Sequence, residues 1–169
     1  GEERLLNFQK MIVAEDDEER QPAADALLPY QREDFEGILR AMDGLPVIIR
    51  LLDPPLHEFL PHDEEGQKQI AEETGKSLDD IQDMVRALAE LNPMLGHRGC
   101  RLGITWPLVS RMQALAIFQA ACALKQEGLD PKPEVMIPLV GTRGETAILK
   151  KIIVEAAEEV MKETGIEVE

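Results

Sequence analysis

Apolar side chains recur every three or four residues along much of the chain, a spacing that predicts amphipathic helices. Pro29 interrupts the first pattern, and because proline has no amide hydrogen we expect one helix to end there. The acidic run Glu15–Glu19 fits either a helix start or a solvated loop. The expected helices cover Glu2–Leu28, Gln31–Met42, Glu64–Thr74, Ser77–Leu91, Pro107–Gly128 and Thr142–Thr164.

Several of these helices carry recognisable signals at their ends. Ser77 is followed three residues later by Asp80, and Thr142 by Glu145, which is the pattern of a capping box. Glycines follow the last periodic residue of four helices, at Gly44, Gly75, Gly128 and Gly165, where a left-handed backbone commonly ends a helix. These signals therefore predict where the helices begin and end.

Runs of branched apolar residues between the helices predict buried strands. Val47–Leu52 and Glu134–Val140 are the two clearest, Leu102–Thr105 is a shorter one, and Ile166 begins a further alternation. Strands that alternate with long helices favour right-handed βα units and a parallel sheet. A ligand site in such a sheet belongs at the C-terminal ends of the strands.

Composition narrows the possible classes of function. The 169 residues are enough for about one domain, and 33 acidic against 18 basic side chains give a net charge of −15. This balance argues against a general nucleic-acid binder, which needs basic side chains to replace phosphate counterions. Cys100 and Cys122 are too few for a disulfide framework, and no apolar run approaches the roughly 18 residues of a membrane span. We expect a cytoplasmic location and no membrane partner.

Arg50 is an unusual residue because it lies within the apolar run Val47–Leu52. A guanidinium in such a strand is costly to desolvate unless it has a partner. It can pair with a carboxylate such as Asp53, or it can bind an anionic ligand at the C-terminal edge of the sheet, where arginine offers two parallel donors. The residues alone leave both interpretations open.

Other candidate chemistry is weaker. Asn92–Arg101 combines glycines with two arginines, which fits a phosphate-binding segment, but it lacks the spacing of a known phosphate loop. The histidines at 57, 62 and 97 do not have the spacing of a metal site, so we expect no metal ligands in this chain. Neither cysteine has a base nearby in the sequence, and we identify no catalytic residue in this segment.

Four blocks of the sequence resemble the phosphoenolpyruvate/pyruvate-binding domain of the pyruvate, phosphate dikinase family. The second and third blocks are the most specific, because they contain the sequences LDPPLHEF and GHRG. Phosphoenolpyruvate synthase and the phosphotransferase-system enzyme I are similar in architecture and are the alternative relatives. The blocks are Leu27–Gly44, Leu45–Pro61, Asn92–Ile104 and Pro133–Thr142.

The resemblance implies an α/β fold that is part of a (β/α)8 TIM barrel, with about three parallel strands and long helices. It implies a fragment of an enzyme that converts ATP, phosphate and pyruvate into AMP, pyrophosphate and phosphoenolpyruvate through a phosphohistidine. Arg50 matches the family arginine that holds the substrate's phosphate or carboxylate, and Arg98 matches the arginine of the Gly-His-Arg-Gly element, with a supporting electrostatic role. Both are therefore expected to bind substrate.

Other functional parts of the family are expected outside residues 1–169, which we interpret as one barrel segment truncated at both ends. An Arg-Thr-Glu motif is expected before Gly1. The Mg²⁺ carboxylates, the catalytic cysteine and a further strand are expected after Glu169. The expected partners are phosphoenolpyruvate or pyruvate, the phosphohistidine and nucleotide-binding domains of the parent chain, and further copies in a homo-oligomer. The fragment alone should be inactive, and a non-catalytic binding module is the alternative.

Overall fold

A computed structural model describes residues 1–89, 92 and 96–168 of the chain. The described residues form two compact units, one from Gly1–Leu27 with Pro54–Arg98 and the other from Leu28–Asp53 with Gly99–Glu169. The elements, in chain order, are α1 (Glu2–Val13), α2 (Asp17–Ala41), β1 (Pro46–Arg50), a short 3-10 helix (Leu56–Phe59), α3 (Glu64–Thr74), α4 (Leu78–Leu88), α5 (Gly99–Thr105), α6 (Pro107–Gln126), β2 (Lys132–Met136) and α7 (Arg143–Thr164).

The first unit is helical, and a buried arginine, Arg20, binds the end of α1. Arg20 is 3 % exposed, and its guanidinium donates to the carbonyl oxygens of Met11 and Ala14, at 3.2 Å and 2.9 Å. Its third contact is an ion pair with Asp17 at 2.6 Å. These bonds satisfy carbonyl groups at the end of α1, which have no partner within the helix. Arg20 therefore fixes the corner between α1 and α2.

The second unit contains a two-stranded parallel sheet covered on one face by α6 and α7. β1 and β2 pair with Ile48 opposite Glu134 and Arg50 opposite Met136. Because successive side chains of a strand point to opposite faces, one face is buried and the other is not. Ile49 packs into a core with residues of α6 and α7, whereas Ile48 and Met136 on the other face are 61 % and 44 % exposed.

The predicted break at Pro29 is wrong, because α2 runs without interruption from Asp17 to Ala41. Proline removes one hydrogen bond of a helix but has a φ angle that helices accept. Pro29 lies at an exposed position, where water can hydrate the carbonyl group that loses its partner. The boundary between the two compact units falls next to it, after Leu27.

The predicted third strand, Leu102–Thr105, is also wrong, because these residues belong to helix α5. Short apolar runs do not distinguish a buried strand from a buried helix. Leu102 is 1 % exposed, and Gly103 lies in close contact with Ser110 and Leu149, which a helix at this position allows. Ile166–Val168 do not form the expected further strand either.

The described residues therefore give an α/β fold, mostly helical, with two parallel strands. Both strands are also shorter than their apolar runs, since β1 ends at Arg50 and β2 at Met136. The expected helix end at Leu91 lies outside the described residues, as does Glu169. The predicted caps are confirmed at Ser77, Thr142, Gly75 and Gly165.

Within the described part of the chain, α6 meets the length and hydropathy requirements of a membrane span, which corrects the expectation from the sequence. The relevant stretch is 61 % buried inside the protein. Ala114, Ile117 and Ala121 of this helix are fully buried in the second unit. A core helix passes the same test, and α6 occupies that position.

Candidate functional site

The C-terminal edge of the sheet is formed where β1 and β2 end side by side. Arg50 is the last residue of β1 and is paired with Met136, the last residue of β2. The Leu51 amide donates to the Met136 carbonyl at 3.0 Å, so the hydrogen-bonded ladder continues for one residue. The loops after both strands therefore start from neighbouring points, which is where ligands bind in parallel sheets.

Arg50 combines the two interpretations that the sequence left open. Its Nη1 lies 3.5 Å from Oδ2 of Asp53, so the predicted carboxylate partner is present. The arginine side chain is nevertheless 61 % exposed, whereas the aspartate side chain is 8 % exposed. A guanidinium has five N–H donors, and this contact involves one of its nitrogens. Arg50 can therefore hold Asp53 and still present donors to an anion.

A buried glutamine fixes the backbone after Arg50, and sequence reasoning missed it. Gln113 of α6 is 9 % exposed, and its Oε1 accepts a hydrogen bond from the Leu52 amide at 2.9 Å. Its Nε2 lies 3.5 Å from Oε1 of Gln31 in α2. The sequence did carry a signal for this role, namely the side-chain amide of Gln113 among apolar residues of a helix. A polar group buried in such a stretch needs a hydrogen-bond partner.

The loop after β2 is held against the start of α5. The Cys100 amide donates to the Pro138 carbonyl at 3.0 Å, and the Cys100 thiol donates to the Leu139 carbonyl at 3.2 Å. Leu139 has φ of 62°, which a leucine seldom adopts. A Cβ on Gly99 would lie 3.0 Å from the Leu139 side chain, so glycine allows this close approach.

The chemistry of Cys100 argues against a nucleophile. Burial raises the pKa of its thiol, and the nearby Glu145 carboxylate raises it further. Because the thiolate is the reactive form, a thiol with a raised pKa is a weak nucleophile at neutral pH. The thiol instead contributes the hydrogen bond that ties α5 to the loop after β2.

The N-terminus of α7 is filled by the protein's own carboxylate. Glu145 Oε2 accepts hydrogen bonds from the Gly141 and Thr142 amides at 2.9 Å and 2.8 Å. These hydrogen bonds lower the pKa of Glu145, and the bond from Gly141 has the largest effect, ahead of those from Thr142. A helix N-terminus attracts anions, and here Glu145 supplies that anion.

The enclosed space beneath the strand ends is small. The cavity beneath them, lined by Leu51, Cys100, Ser110 and Gln113 among others, measures about 10 Å³. That is about the volume needed for a single water molecule. A ligand of the size of a small organic acid does not fit in this cavity.

The second predicted site residue, Arg98, lies in the other unit. It is half-buried and directly precedes α5, and His97 beside it is half-buried too. Residues 93–95 of the same glycine-rich block lie outside the described residues. Arg50 belongs to the second unit, so the two arginines are described separately, each within its own unit.

A magnesium site does not form from the residues that the structure describes. Mg²⁺ prefers several oxygen ligands in near-octahedral geometry. Within residues 1–89, 92 and 96–168, no group of three histidine, cysteine or acidic side chains is placed so that it could hold a metal ion.

Comparison with known proteins gives a family match over nearly the whole chain. The profile of the family described as "PEP-utilising enzyme, PEP-binding domain" matches residues 2–169. The chain is 53 % identical to "Pyruvate, phosphate dikinase, chloroplastic" of Mesembryanthemum crystallinum, with 98 % of the chain and 18 % of that protein aligned. It is 45 % identical to "Pyruvate, phosphate dikinase" of Clostridium symbiosum, with 96 % of the chain and 19 % of that protein aligned.

A third relative gives the same picture. The chain is 51 % identical to "Pyruvate, phosphate dikinase 1, chloroplastic" of Arabidopsis thaliana, with 98 % of the chain and 17 % of that protein aligned. The chain thus spans less than a fifth of the length of these curated relatives. The matched region is the segment in which Arg50 and Arg98 lie.

Proposed function

The chain belongs to the phosphoenolpyruvate-binding domain family of phosphoenolpyruvate-utilising enzymes, and from this premise we propose that it forms part of the substrate site of a pyruvate, phosphate dikinase. The parent enzyme would convert ATP, phosphate and pyruvate into AMP, pyrophosphate and phosphoenolpyruvate through a phosphohistidine. Identities of 45 % to 53 % with three named dikinases over at least 96 % of the chain support this assignment.

The observation that carries the proposal is the position of Arg50. It ends β1, its side chain is exposed, and a buried carboxylate lies beside it. Phosphoenolpyruvate and pyruvate are anions, and phosphoryl transfer develops charge that fixed cations stabilise. A guanidinium at this edge would orient the substrate through its phosphate or carboxylate. Arg98 would add a supporting positive charge.

The exposed face of the sheet fits a larger barrel. Ile48, Glu134 and Met136 share this face with Arg50, since strand side chains alternate between faces. In a (β/α)8 barrel the inner face of each strand is covered by the other strands, and catalytic residues lie at the C-terminal ends. We propose that this face is the barrel interior and that residues 1–169 are one barrel segment.

The other parts of the reaction would come from outside this segment. They are the Mg²⁺ ligands, the catalytic cysteine, the phosphohistidine domain and the nucleotide-binding domain. The metal would supply positive charge to the substrate's phosphate and carboxylate groups when bound. We further propose a cytoplasmic homo-oligomer, although several plant relatives are named as chloroplastic.

The test is steady-state kinetics of the full-length protein that contains this chain, with phosphoenolpyruvate as the varied substrate. Arg50→Ala should lower kcat/KM at least about tenfold, which corresponds to about 1.4 kcal/mol. Arg98→Ala should lower it by a smaller factor.

The matched control is Arg40→Ala, because Arg40 is an exposed arginine of the same unit that pairs with Glu127 rather than lying at a strand end. We expect its kinetics to equal those of the unsubstituted protein. Unchanged kinetics in Arg50→Ala would refute the assignment. A binding module without catalysis predicts no turnover in any of these proteins.

A further inference from the structure

Asp53 is exceptional among the carboxylates that the structure describes, because it alone is buried, at 6 % exposure. Taking a carboxylate out of water is costly unless an opposite charge lies nearby. Its ion-pair partner Arg50 lies 3.5 Å away, at the strand end where the proposed substrate binds. The buried carboxylate therefore lies where it can act on the Arg50 guanidinium.

The pair of Arg50 with Asp53 is asymmetric, unlike the surface pair of Arg40 with Glu127. Arg40 and Glu127 form a surface pair, with 49 % and 50 % of their side chains exposed. In the pair of Arg50 with Asp53 the cation is 61 % exposed and the anion 8 % exposed. A side chain surrounded by protein has little freedom to move, whereas an exposed arginine has many rotamers. The buried carboxylate is thus the fixed partner, and the guanidinium is the group that it holds.

The backbone that carries Asp53 is itself held in place. The Leu51 amide bonds to the Met136 carbonyl, and the next amide, of Leu52, bonds to buried Gln113. Pro54 follows Asp53 and has a φ angle fixed by its ring. Asp53 cannot follow Arg50 if the arginine side chain swings away, so the carboxylate defines one position for the guanidinium.

We propose that Asp53 is a positioning residue, which holds the Arg50 guanidinium in its substrate-binding orientation before phosphoenolpyruvate arrives. This inference rests on the proposed role of Arg50 as the substrate's anion-binding residue. Preorganisation of a binding group increases affinity because less conformational freedom is lost on binding. The role of Asp53 is indirect, since it acts through Arg50 and need not touch the substrate.

The experiment is a double-mutant cycle in the full-length protein, measured as kcat and KM for phosphoenolpyruvate. Asp53→Asn keeps the volume of the side chain and removes its charge. We expect KM to rise about tenfold, the equivalent of about 1.4 kcal/mol, with a smaller change in kcat. In the Arg50→Ala background the same substitution should have no further effect on KM.

A purely structural role of Asp53 predicts a different result. It would lower the unfolding temperature and change the kinetics by the same factor with or without Arg50, and that outcome would overturn the inference. An unchanged KM in Asp53→Asn would overturn it as well. Glu127→Gln removes the carboxylate of the surface pair and is the control, for which we expect unchanged kinetics.

A second variant covers the case in which Asp53→Asn does not fold. Asp53→Glu retains the charge and moves the carboxylate by one methylene group, and its KM effect should again disappear when Arg50 is replaced. The two proposals fail separately. If Arg50→Ala has normal kinetics, the proposed function is wrong; if Arg50→Ala is impaired and the Asp53 effect is independent of Arg50, only this inference is wrong.

Discussion

Helix α5 begins directly after Arg98 and contains Gly103. The neighbours of Gly103 lie so close that a residue with a side chain would not fit there without a shift. A Cβ at position 103 would be 2.5 Å from Ser110 Oγ and 2.9 Å from Leu149 Cδ2. Both neighbours are buried, at 5 % and 1 % exposure, so neither can move easily. The substitution Gly103→Ala therefore tests the packing that makes α5 a helix.

Two opposing effects determine the size of the change in stability. Replacing glycine by alanine within a helix is favourable by about 1 kcal/mol, because glycine has more conformational freedom to lose. Placing an extra methyl group in a well-packed core is unfavourable by about 1–3 kcal/mol. At 2.5 Å the contact is well inside ordinary van der Waals distance, so we take the upper part of that range. The net effect is a destabilisation of about 1–2 kcal/mol.

The assay is thermal and urea unfolding of the 169-residue chain, with Gly37→Ala as the matched control. Gly37 lies within α2, in the same unit, and a Cβ there would have nothing within 4 Å. Gly37→Ala should raise the Tm, while Gly103→Ala should lower it by about 2–8 °C, from about 2–4 °C per kcal/mol. Adding Ser110→Ala to Gly103→Ala should recover part of the loss. Equal stabilisation by both glycine substitutions would refute the close packing of α5.

Three further outcomes are expected. Calorimetry on the isolated chain should show no micromolar, Mg²⁺-dependent binding of phosphoenolpyruvate, and assays should show no phosphotransfer. An anion held by arginine in a site open to water gains little binding free energy relative to water. Tight binding would contradict this. Light scattering should show a dimer or larger assembly rather than an 18.9 kDa monomer, because Ile48 and Met136 are exposed on the uncovered sheet face, beside strand edges that no other described strand pairs with. A clean monomer at tens of micromolar would show that these side chains are covered within the chain. Glu145 has a pKa below its ordinary value of 4.5, so its ionised form stabilises the fold above that pH, and this contribution is lost as the pH falls through the folded-state pKa. Urea unfolding should show Glu145→Gln less stable than the unsubstituted chain at neutral pH, with a difference that shrinks as the pH falls below 4.5, and a constant difference would contradict the assignment.

The sequence by itself determined the features that depend on neighbouring residues. Ser77 and Thr142 cap their helices, and Gly75 and Gly165 end theirs with positive φ, because a cap is made by groups a few residues apart. Sequence blocks around Arg50 also predicted the family, and the match over residues 2–169 confirms it. These predictions needed no knowledge of packing.

Tertiary structure decided what local patterns left open. Leu102–Thr105 is apolar enough for either a strand or a helix, and the contacts of Gly103 with Ser110 and Leu149 favour the helix. The helix continues through Pro29 at an exposed position, and composition does not reveal that exposure.

The partners of Arg50 show the same division most clearly. The sequence placed a charge in an apolar run and offered burial or ligand binding as alternatives. The structure exposes the guanidinium and buries its partner, Asp53, beside a backbone amide held by Gln113, which is 61 residues away from Leu52 in the chain. Burial and long-range hydrogen bonds depend on how distant segments pack, so only the folded chain could assign these roles.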